Sequence, residues 1–205
     1  MVFLGSVTGA NAAAFDLERD TRSLKGKTIL ITGGDSGIGK QAILYLCRLE
    51  PSEIWLASKN VDNANSVIAV IDRNVPNIRL RTVQLDLASF ASVKAAAATV
   101  VTQADRLDLL FLNAGVMGVA AGLTEEGYEY QFGINYLGHA LLAKLLLPLL
   151  LRTAEQGRDV RVITTTSCSH RNALDGGIDF DTLTTNASGL PTMKRYAQSK
   201  LANIF

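Results

Sequence analysis

Tyr196 and Lys200 stand four residues apart in Tyr-Ala-Gln-Ser-Lys, a spacing that puts a phenol and an ammonium on one face of a helix. A free phenol titrates at about 10, too high for a base at neutral pH, and a neighbouring cation stabilises the phenolate and brings it nearer the working range. Taken alone such a pair is common on surfaces, so its meaning depends on what the chain assembles beside it. The other stretch able to do chemistry is Thr32-Gly33-Gly34-Asp35-Ser36-Gly37-Ile38-Gly39. It follows the apolar run Thr28–Ile31 and precedes Lys40–Leu46, where apolar residues recur at helical spacing. A glycine-rich turn from strand into helix lets backbone N–H groups and the positive end of the helix dipole meet a phosphate. Its Thr-Gly-x-x-x-Gly-x-Gly spacing lacks the closing Gly-Lys-Ser/Thr of a P-loop, which argues against ATP or GTP. Asp35, acidic beside phosphates, is expected to point outward and brace the turn.

These groups need a scaffold, and the pattern of the chain supplies one. Lys27–Thr32, Glu53–Ser58, Arg79–Leu85, Leu107–Leu112 and Val160–Thr166 read as strands. Between them Gly37–Arg48, Asp62–Arg73, Phe90–Gln103 (capped by Ser89) and Tyr128–Ala154 read as helices. Asn172–Pro191 reads as a loop and Thr192–Phe205 as a last helix. Such alternation predicts an α/β, Rossmann-type, doubly wound parallel sheet, with residues 1–24 as an N-terminal arm and 25–205 as the dinucleotide-binding domain. Ligands of such sheets sit beyond the carboxyl ends of the strands. Asp86, Asn113 and Ser167 fall at or just past those ends, so they are expected on one edge with Gly33–Gly39.

The same rule bears on the cofactor. Glu53 lies 20 residues after Gly33, the distance of a ribose-binding carboxylate. It begins its strand, however, and at ~3.3 Å per residue would stand roughly 15 Å from the working edge. The positions that end the strand are Ser58 and Lys59. A hydroxyl and an ammonium suit a 2′-phosphate, which a carboxylate would repel, so NADP is expected over NAD. The alternative is that Lys59 is a solvated loop lysine.

Thr32–Gly39, Asp86-Leu87, Asn113-Ala114-Gly115, Asn135 in Asn-Tyr-Leu-Gly-His, Ser167 and Tyr196–Lys200 together resemble the short-chain dehydrogenase/reductase family in order and spacing. The words Gln131–His139 and Ser199–Asn203 resemble its retinol-dehydrogenase-like and WW-domain-oxidoreductase-like branch. The resemblance implies that Tyr196 exchanges a proton with the substrate oxygen and that Lys200 binds the nicotinamide ribose and depresses the tyrosine pKa. It implies that Ser167 hydrogen-bonds the substrate oxygen, with Thr166 and Ser169 as rival hydroxyls. Asn135 would hold a relay water, or would simply satisfy backbone groups. Asp86 with Leu87 would meet the adenine, and Asn113, Ala114 and Gly115 would border the adenosine. Gly33, Ser36, Gly37, Ile38 and Gly39 would cradle the phosphates, beside Ser58 and Lys59.

The function so implied is an NADP-dependent oxidoreductase interconverting a carbonyl and an alcohol by hydride transfer. Its substrate is a small molecule, and a homodimer is expected through the helices of Asn135 and Tyr196. Relatives continue past the tyrosine helix with at least one further strand and a substrate lid. The expectation is therefore a C-terminally truncated sheet of about five strands, and the alternative function is a non-catalytic homologue that at most binds the dinucleotide or a partner.

Composition narrows the field further. The 205 residues, 48% hydrophobic and 19% charged, suit one globular domain with a sizeable core. A net charge of +1 gives no reason to expect nucleic acid or an anionic membrane surface. Cys47 and Cys168 make neither a disulfide framework nor a zinc site, and His139 and His170 lack partners at ligand spacing, so they are expected to pack or to face solvent. A reduced, cytoplasmic location is expected. Ala140–Leu151, interrupted by Lys144 and Pro148, is read as a buried helix too short to span a membrane.

Overall fold

The computed structural model describes residues 17–74 and 78–205, so most of the expected N-terminal arm lies outside the described residues. A single turn, α1 (Leu17–Asp20), comes first, and Leu24 already packs against the core, its N–H donating to Leu49 O at 2.8 Å. Five strands follow: β1 (Thr28–Thr32), β2 (Glu53–Ser58), β3 (Arg79–Gln84), β4 (Leu109–Leu112) and β5 (Arg161–Thr164). They form one sheet in the order β3-β2-β1-β4-β5, every pairing parallel. The crossovers are α2 (Gly37–Cys47), α3 (Val61–Asn74), α4 (Phe90–Gln103) and a long helix before β5. That helix has three parts: α5 (Tyr130–Phe132), a π-helical segment Gly133–Leu137, and α6 (Gly138–Glu155). The chain closes with α7 (Thr192–Ala202).

Alternation of side chains along each central strand creates two cores. Ile29 and Ile31 of β1 and Ile54 and Leu56 of β2 face α2 and α3, where Ile43, Val67 and Ile71 meet them. Leu30, Trp55 and Leu110 face the other way, onto Val93, Ala97, Leu142 and Leu146 of α4 and α6. The continuous apolar runs read from the sequence therefore belong to strands covered on both faces, as a parallel sheet requires. α6 follows the same logic. The Tyr130–Glu155 helix is 26 residues long and contains an 18-residue window with a mean hydropathy of 1.6, enough by length and composition to span a membrane. The expectation that this run is too short fails on length, because Lys144 and Pro148 do not end the helix. Leu142, Leu146, Leu149 and Leu150 are nevertheless buried against the sheet, which makes it a core helix.

Local hydrogen bonds trim the expected strands. Leu107 is fully buried but outside β4, its N–H donating to Thr153 Oγ1 at 3.0 Å rather than to a neighbouring strand. Beyond β5, Thr166 Oγ1 donates to Lys200 O at 2.6 Å, which draws the chain toward α7. The expected loop 172–191 contains a 3-10 turn, Phe180–Thr182, and α7 ends at Ala202, short of Phe205. Ser89 caps α4 as expected, accepting from Ser92 N–H at 3.4 Å.

Both edges of the sheet bury polar groups. At the amino edge the carboxylate of Asp108 is fully buried; it accepts from Thr28 N–H at 2.8 Å and from Arg106 Nε at 3.2 Å, with Lys27 at 3.7 Å. Glu53 is held there too, 2.8 Å from Arg81 Nε, at the far end of β2 from any ligand. Near the carboxyl edge His139 of α6 is 2% exposed, between Thr32 Oγ1 at 2.8 Å and Asn135 O at 3.1 Å. Burial pushes its pKa down to about 4, against the hydrogen bond to Asn135, which works the other way.

Two predictions follow from these buried groups. Asp108→Ala leaves the Thr28 amide and a cluster of cations without their anion, and should lower the unfolding free energy by about 3 kcal/mol in urea titrations, with the cleft at the opposite edge intact. For His139, the folded pKa of about 4 lies below the ordinary 6.5, so the unfolded chain binds the extra proton between those values. Its contribution is complete above pH 6.5 and declines as pH falls toward 4, by roughly 3 kcal/mol in all. Chemical denaturation at pH 7, 5.5 and 4.5 should show that slope in the wild type and its loss in His139→Gln.

Candidate active site

The carboxyl ends of the strands open into a cleft of about 1160 Å³. It exists because β1 and β4 are neighbours whose following segments leave the sheet on opposite faces, one into α2 and the other toward the Asn135 helix. Thr32, the last residue of β1, holds that parting together: its Oγ1 accepts from the N–H groups of Asn113 and Ala114, each at 2.9 Å. Asn113 Nδ2 returns a bond to Thr32 O at 3.2 Å.

The glycine turn begins at Gly33, in the left-handed region at φ +68°, where its N–H donates to Ala57 O at 2.8 Å. α2 then starts at Gly37, with Ser36 extended at the cap and making no side-chain capping bond. The first turn of α2 carries no acidic side chain. Gly39 sets how tightly the turn folds: a Cβ there would lie 2.1 Å from Gly33 O, inside the backbone of the loop itself. The outcome is a helix N-terminus facing the cleft, with backbone rather than side chains at its surface, as a pyrophosphate requires. Ile38, 77% exposed, forms its lip. Asp35, expected to face outward, instead is half-buried and lines the cleft.

At the end of the cleft beyond β2 and β3, Lys59 Nζ stands 2.7 Å from Asp86 Oδ2. Lys59 is 68% exposed and ion-paired, and the hydrogen bond it donates to Asp86 raises its pKa. The other oxygen of Asp86 accepts from Ala88 N–H at 2.9 Å. The Ser58 hydroxyl, buried beneath, is engaged with the backbone of Asn60 at 3.0 Å, both donating to its O and accepting from its N–H. Leu87, Asn113, Ala114 and Gly115 line the wall between this end and α7.

Tyr196 and Lys200 close the opposite side, both buried, with Lys200 Nζ 5.8 Å from the centroid of the Tyr196 ring. Lys200 donates to Thr165 O at 3.0 Å, and burial lowers its pKa. Ser167 lines the same cleft at the start of a 3-10 turn, Cys168–Asn172. Its Oγ accepts from Ser169 N–H at 3.2 Å, and its carbonyl lies 2.7 Å from His170 Nδ1. Thr166 also lines the cleft, whereas Ser169 does not stand among its lining residues.

Asn135 sits behind the wall rather than in it. Its Oδ1 accepts from Val116 N–H at 2.8 Å, and its Nδ2 donates to Val116 O at 3.0 Å and Ser199 Oγ at 2.9 Å. Both donors of the amide are thus committed to protein partners, one backbone carbonyl and one hydroxyl. Gly115 separates it from the cleft: a Cβ at Gly115 would lie 2.9 Å from Asn135 Oδ1 and 3.6 Å from Lys200 Nζ.

What fixes α7 was not visible in the motifs. Arg195 and Glu129, both buried, pair at 3.1 Å, and Arg195 Nη2 also reaches Val119 O at 3.3 Å. Gln131 Nε2 donates to Thr192 O at 2.9 Å, and Thr192 Oγ1 to Val119 O at 2.8 Å. Tyr130 and Ile134 line the cleft as well, and Thr32 and His139 support it from below. A glutamate and an arginine 66 residues apart give no local signal of pairing; Gln131 does fall within the word around Asn135, and Arg195 lies just before the Tyr196 motif.

Comparison with known proteins agrees with this geometry. The family described as short chain dehydrogenase matches residues 27–179. An uncharacterized oxidoreductase of Schizosaccharomyces pombe is 38% identical over 98% of this chain and 59% of its own length. Human retinol dehydrogenase 13 is 37% identical over 97% of this chain and, again, 59% of its own. The chain thus spans about three fifths of the length of these curated relatives. Among solved structures, an uncharacterized protein from Mycobacterium paratuberculosis superposes with a TM-score of 0.73 at 29% identity, covering 91% of this chain and 62% of that one. The glycine turn, the strand-end asparagine and the tyrosine–lysine helix meet in one cleft on this fold, and the chain belongs to the short-chain dehydrogenase/reductase family, NAD(P)-dependent oxidoreductases, on its retinol-dehydrogenase-like side.

Proposed function

We propose that this protein is an NADP-dependent oxidoreductase that interconverts a carbonyl and an alcohol, with Tyr196 as its acid/base. One observation carries the reading: Tyr196 and Lys200 line the same cleft as the Gly33–Gly39 turn. The cleft fits a dinucleotide on its own evidence, because glycines at 33 and 39 let the turn pack closely on Ala114 and on itself and the helix N-terminus presents backbone there. A bound nicotinamide supplies or accepts the hydride.

The protein's residues do the rest. In the reductive direction the Tyr196 hydroxyl gives its proton to the substrate oxygen as the carbon receives hydride, so no free alkoxide forms. Lys200, anchored by Thr165 O, holds a positive charge beside the ring that favours the phenolate left behind. Ser167 orients the substrate oxygen toward Tyr196. At the other end Lys59 offers an ammonium to a 2′-phosphate, shared with Asp86. The substrate is a small carbonyl or alcohol compound.

A second reading, dinucleotide binding without turnover, is favoured by one feature. β5, whose end leads into Thr165–Ser167 at the cleft, has no strand on its outer side among the described residues, and Val162 on it is 47% exposed.

Fluorescence titration with NADPH followed by NADPH oxidation against a panel of aldehydes and ketones separates the two. Turnover is expected, and Tyr196→Phe should reduce kcat by about 10²- to 10⁴-fold while leaving the NADPH dissociation constant nearly unchanged. Binding with no turnover by the wild type would select the second reading. For the cofactor, Lys59→Ala should weaken NADPH about tenfold and NADH hardly at all. An equal loss for both dinucleotides would overturn the role of Lys59 in choosing NADP.

A further inference from the structure

The polar side chains buried beneath the cleft form one directed hydrogen-bond path, and its sense can be deduced by counting donors. Thr32 Oγ1 lies 2.9 Å from the backbone nitrogens of both Asn113 and Ala114. Those N–H groups can only donate, so they occupy both lone pairs of the hydroxyl. Its proton then goes to His139 Nε2 at 2.8 Å, a far better acceptor position than Phe111 O at 3.4 Å. A receiving Nε2 carries no proton, which places the imidazole proton on Nδ1, facing Asn135 O at 3.1 Å. The opposite tautomer would set a lone pair of Nδ1 against a lone pair of that carbonyl. From Asn135 the path continues through Nδ2 to Ser199 Oγ at 2.9 Å, and Ser199 donates to Tyr196 O at 2.7 Å. Every side chain on it is at least 98% buried.

We propose that His139 is a positioning residue for the Tyr196–Lys200 pair, transmitting the placement of the glycine turn at the end of β1 to the helix that carries Tyr196. A packing role would use the volume of the ring alone. Here both ring nitrogens are engaged, with partners on two different elements, and each partner is bonded to a wall of the cleft: Thr32 to Asn113 and Ala114, Asn135 to Val116 and Ser199. A leucine at 139 would fill the space but strand the Thr32 proton. The path is independent of the cofactor; its consequence for turnover rests on the reading of Tyr196 given above.

Native-state hydrogen exchange of the ligand-free protein tests the coupling directly. In His139→Leu, amides of residues 33–39 and 196–200 should exchange faster together, while the centre of β1 and β2 stays protected. Thr32→Val should reproduce the change and add little to it in the double variant, and His139→Gln, whose side-chain oxygen can accept from Thr32, should restore most of the protection. Exchange that rises only within Gly138–Glu155, or effects of Thr32→Val and His139→Leu that add in full, would overturn the proposal. Where His139→Leu does not fold, Thr32→Val against Thr32→Ser makes the same comparison. In turnover, kcat of His139→Leu should fall by on the order of tenfold to a hundredfold with KM for the dinucleotide little changed; an unchanged kcat would also overturn it. A wild type with no turnover at all would defeat the proposed function and leave the exchange result to decide the coupling by itself.

Discussion

β1 and β4 run side by side in register up to Ile31 and Phe111 and then separate, and everything at the cleft depends on how that separation is held. At such a point two strands stop supplying each other's hydrogen bonds, and the N–H groups of the next residues must find acceptors or remain buried without them. One hydroxyl answers for two of them, because Thr32 Oγ1 accepts from Asn113 and from Ala114. Valine would fill the same volume without an acceptor. The threonine therefore permits the backbone to diverge without leaving orphaned donors, and the divergence is the cleft. Gly33 continues the same constraint, since a Cβ there would meet Ala114 Cα at 3.0 Å.

The distribution of charge follows from the same geometry. In a parallel doubly wound sheet every crossover helix points its N-terminus to the carboxyl edge, so that edge is positive before any side chain is counted. The amino edge receives buried or half-buried carboxylates, Asp108 and Glu53, neutralised locally by arginines. The carboxyl edge receives the ammoniums of Lys59 and Lys200, and neither is left to itself: Asp86 holds one, and Thr165 O accepts from the other. An anionic ligand entering the cleft meets groups already fixed in place, so less ordering is required on binding.

Much of this was legible in the sequence, and the legible part shares a cause. The apolar strands, the glycine turn and the Tyr196–Lys200 face are set by neighbours a few residues away, and period and spacing report them. Glu53 is the instructive case. Its distance from Gly33 suits a ribose ligand, but its place at the start of a strand removes it from the edge, and the structure finds it bonded to Arg81 there. What the sequence did not reveal rests on pairs far apart in the chain. Arg195 with Glu129, Thr32 with His139 and Asn135 with Ser199 are separated by 66, 107 and 64 residues. His139 illustrates the loss: it lacks partners at ligand spacing, so it reads as a packed or surface residue, and only the fold brings a hydroxyl to one nitrogen and a carbonyl to the other.

The π-helical segment Gly133–Leu137 carries the residue through which the hydrogen-bond path turns, Asn135. A helical carbonyl has two lone pairs, so the imidazole at 139 can turn back to Asn135 O much as the Thr153 hydroxyl turns back to Leu149 O in α6. A π turn shifts the ladder by one residue, as the bond from Gly138 N–H to Gly133 O records. At both ends of the wider turn the neighbouring elements leave room only for glycine. A Cβ at Gly133 would lie 2.3 Å from Thr124 Cγ2, and one at Gly138 would lie 2.6 Å from Leu87 O. Glycines thus bracket the segment and seat it close to the loops after β3 and β4. The side chain of Asn135 is then aimed at Val116 and Ser199 while its carbonyl lies within reach of His139. Asn135, on a local irregularity of one helix, thus serves both the wall of the cleft and the hydrogen-bond path beneath it.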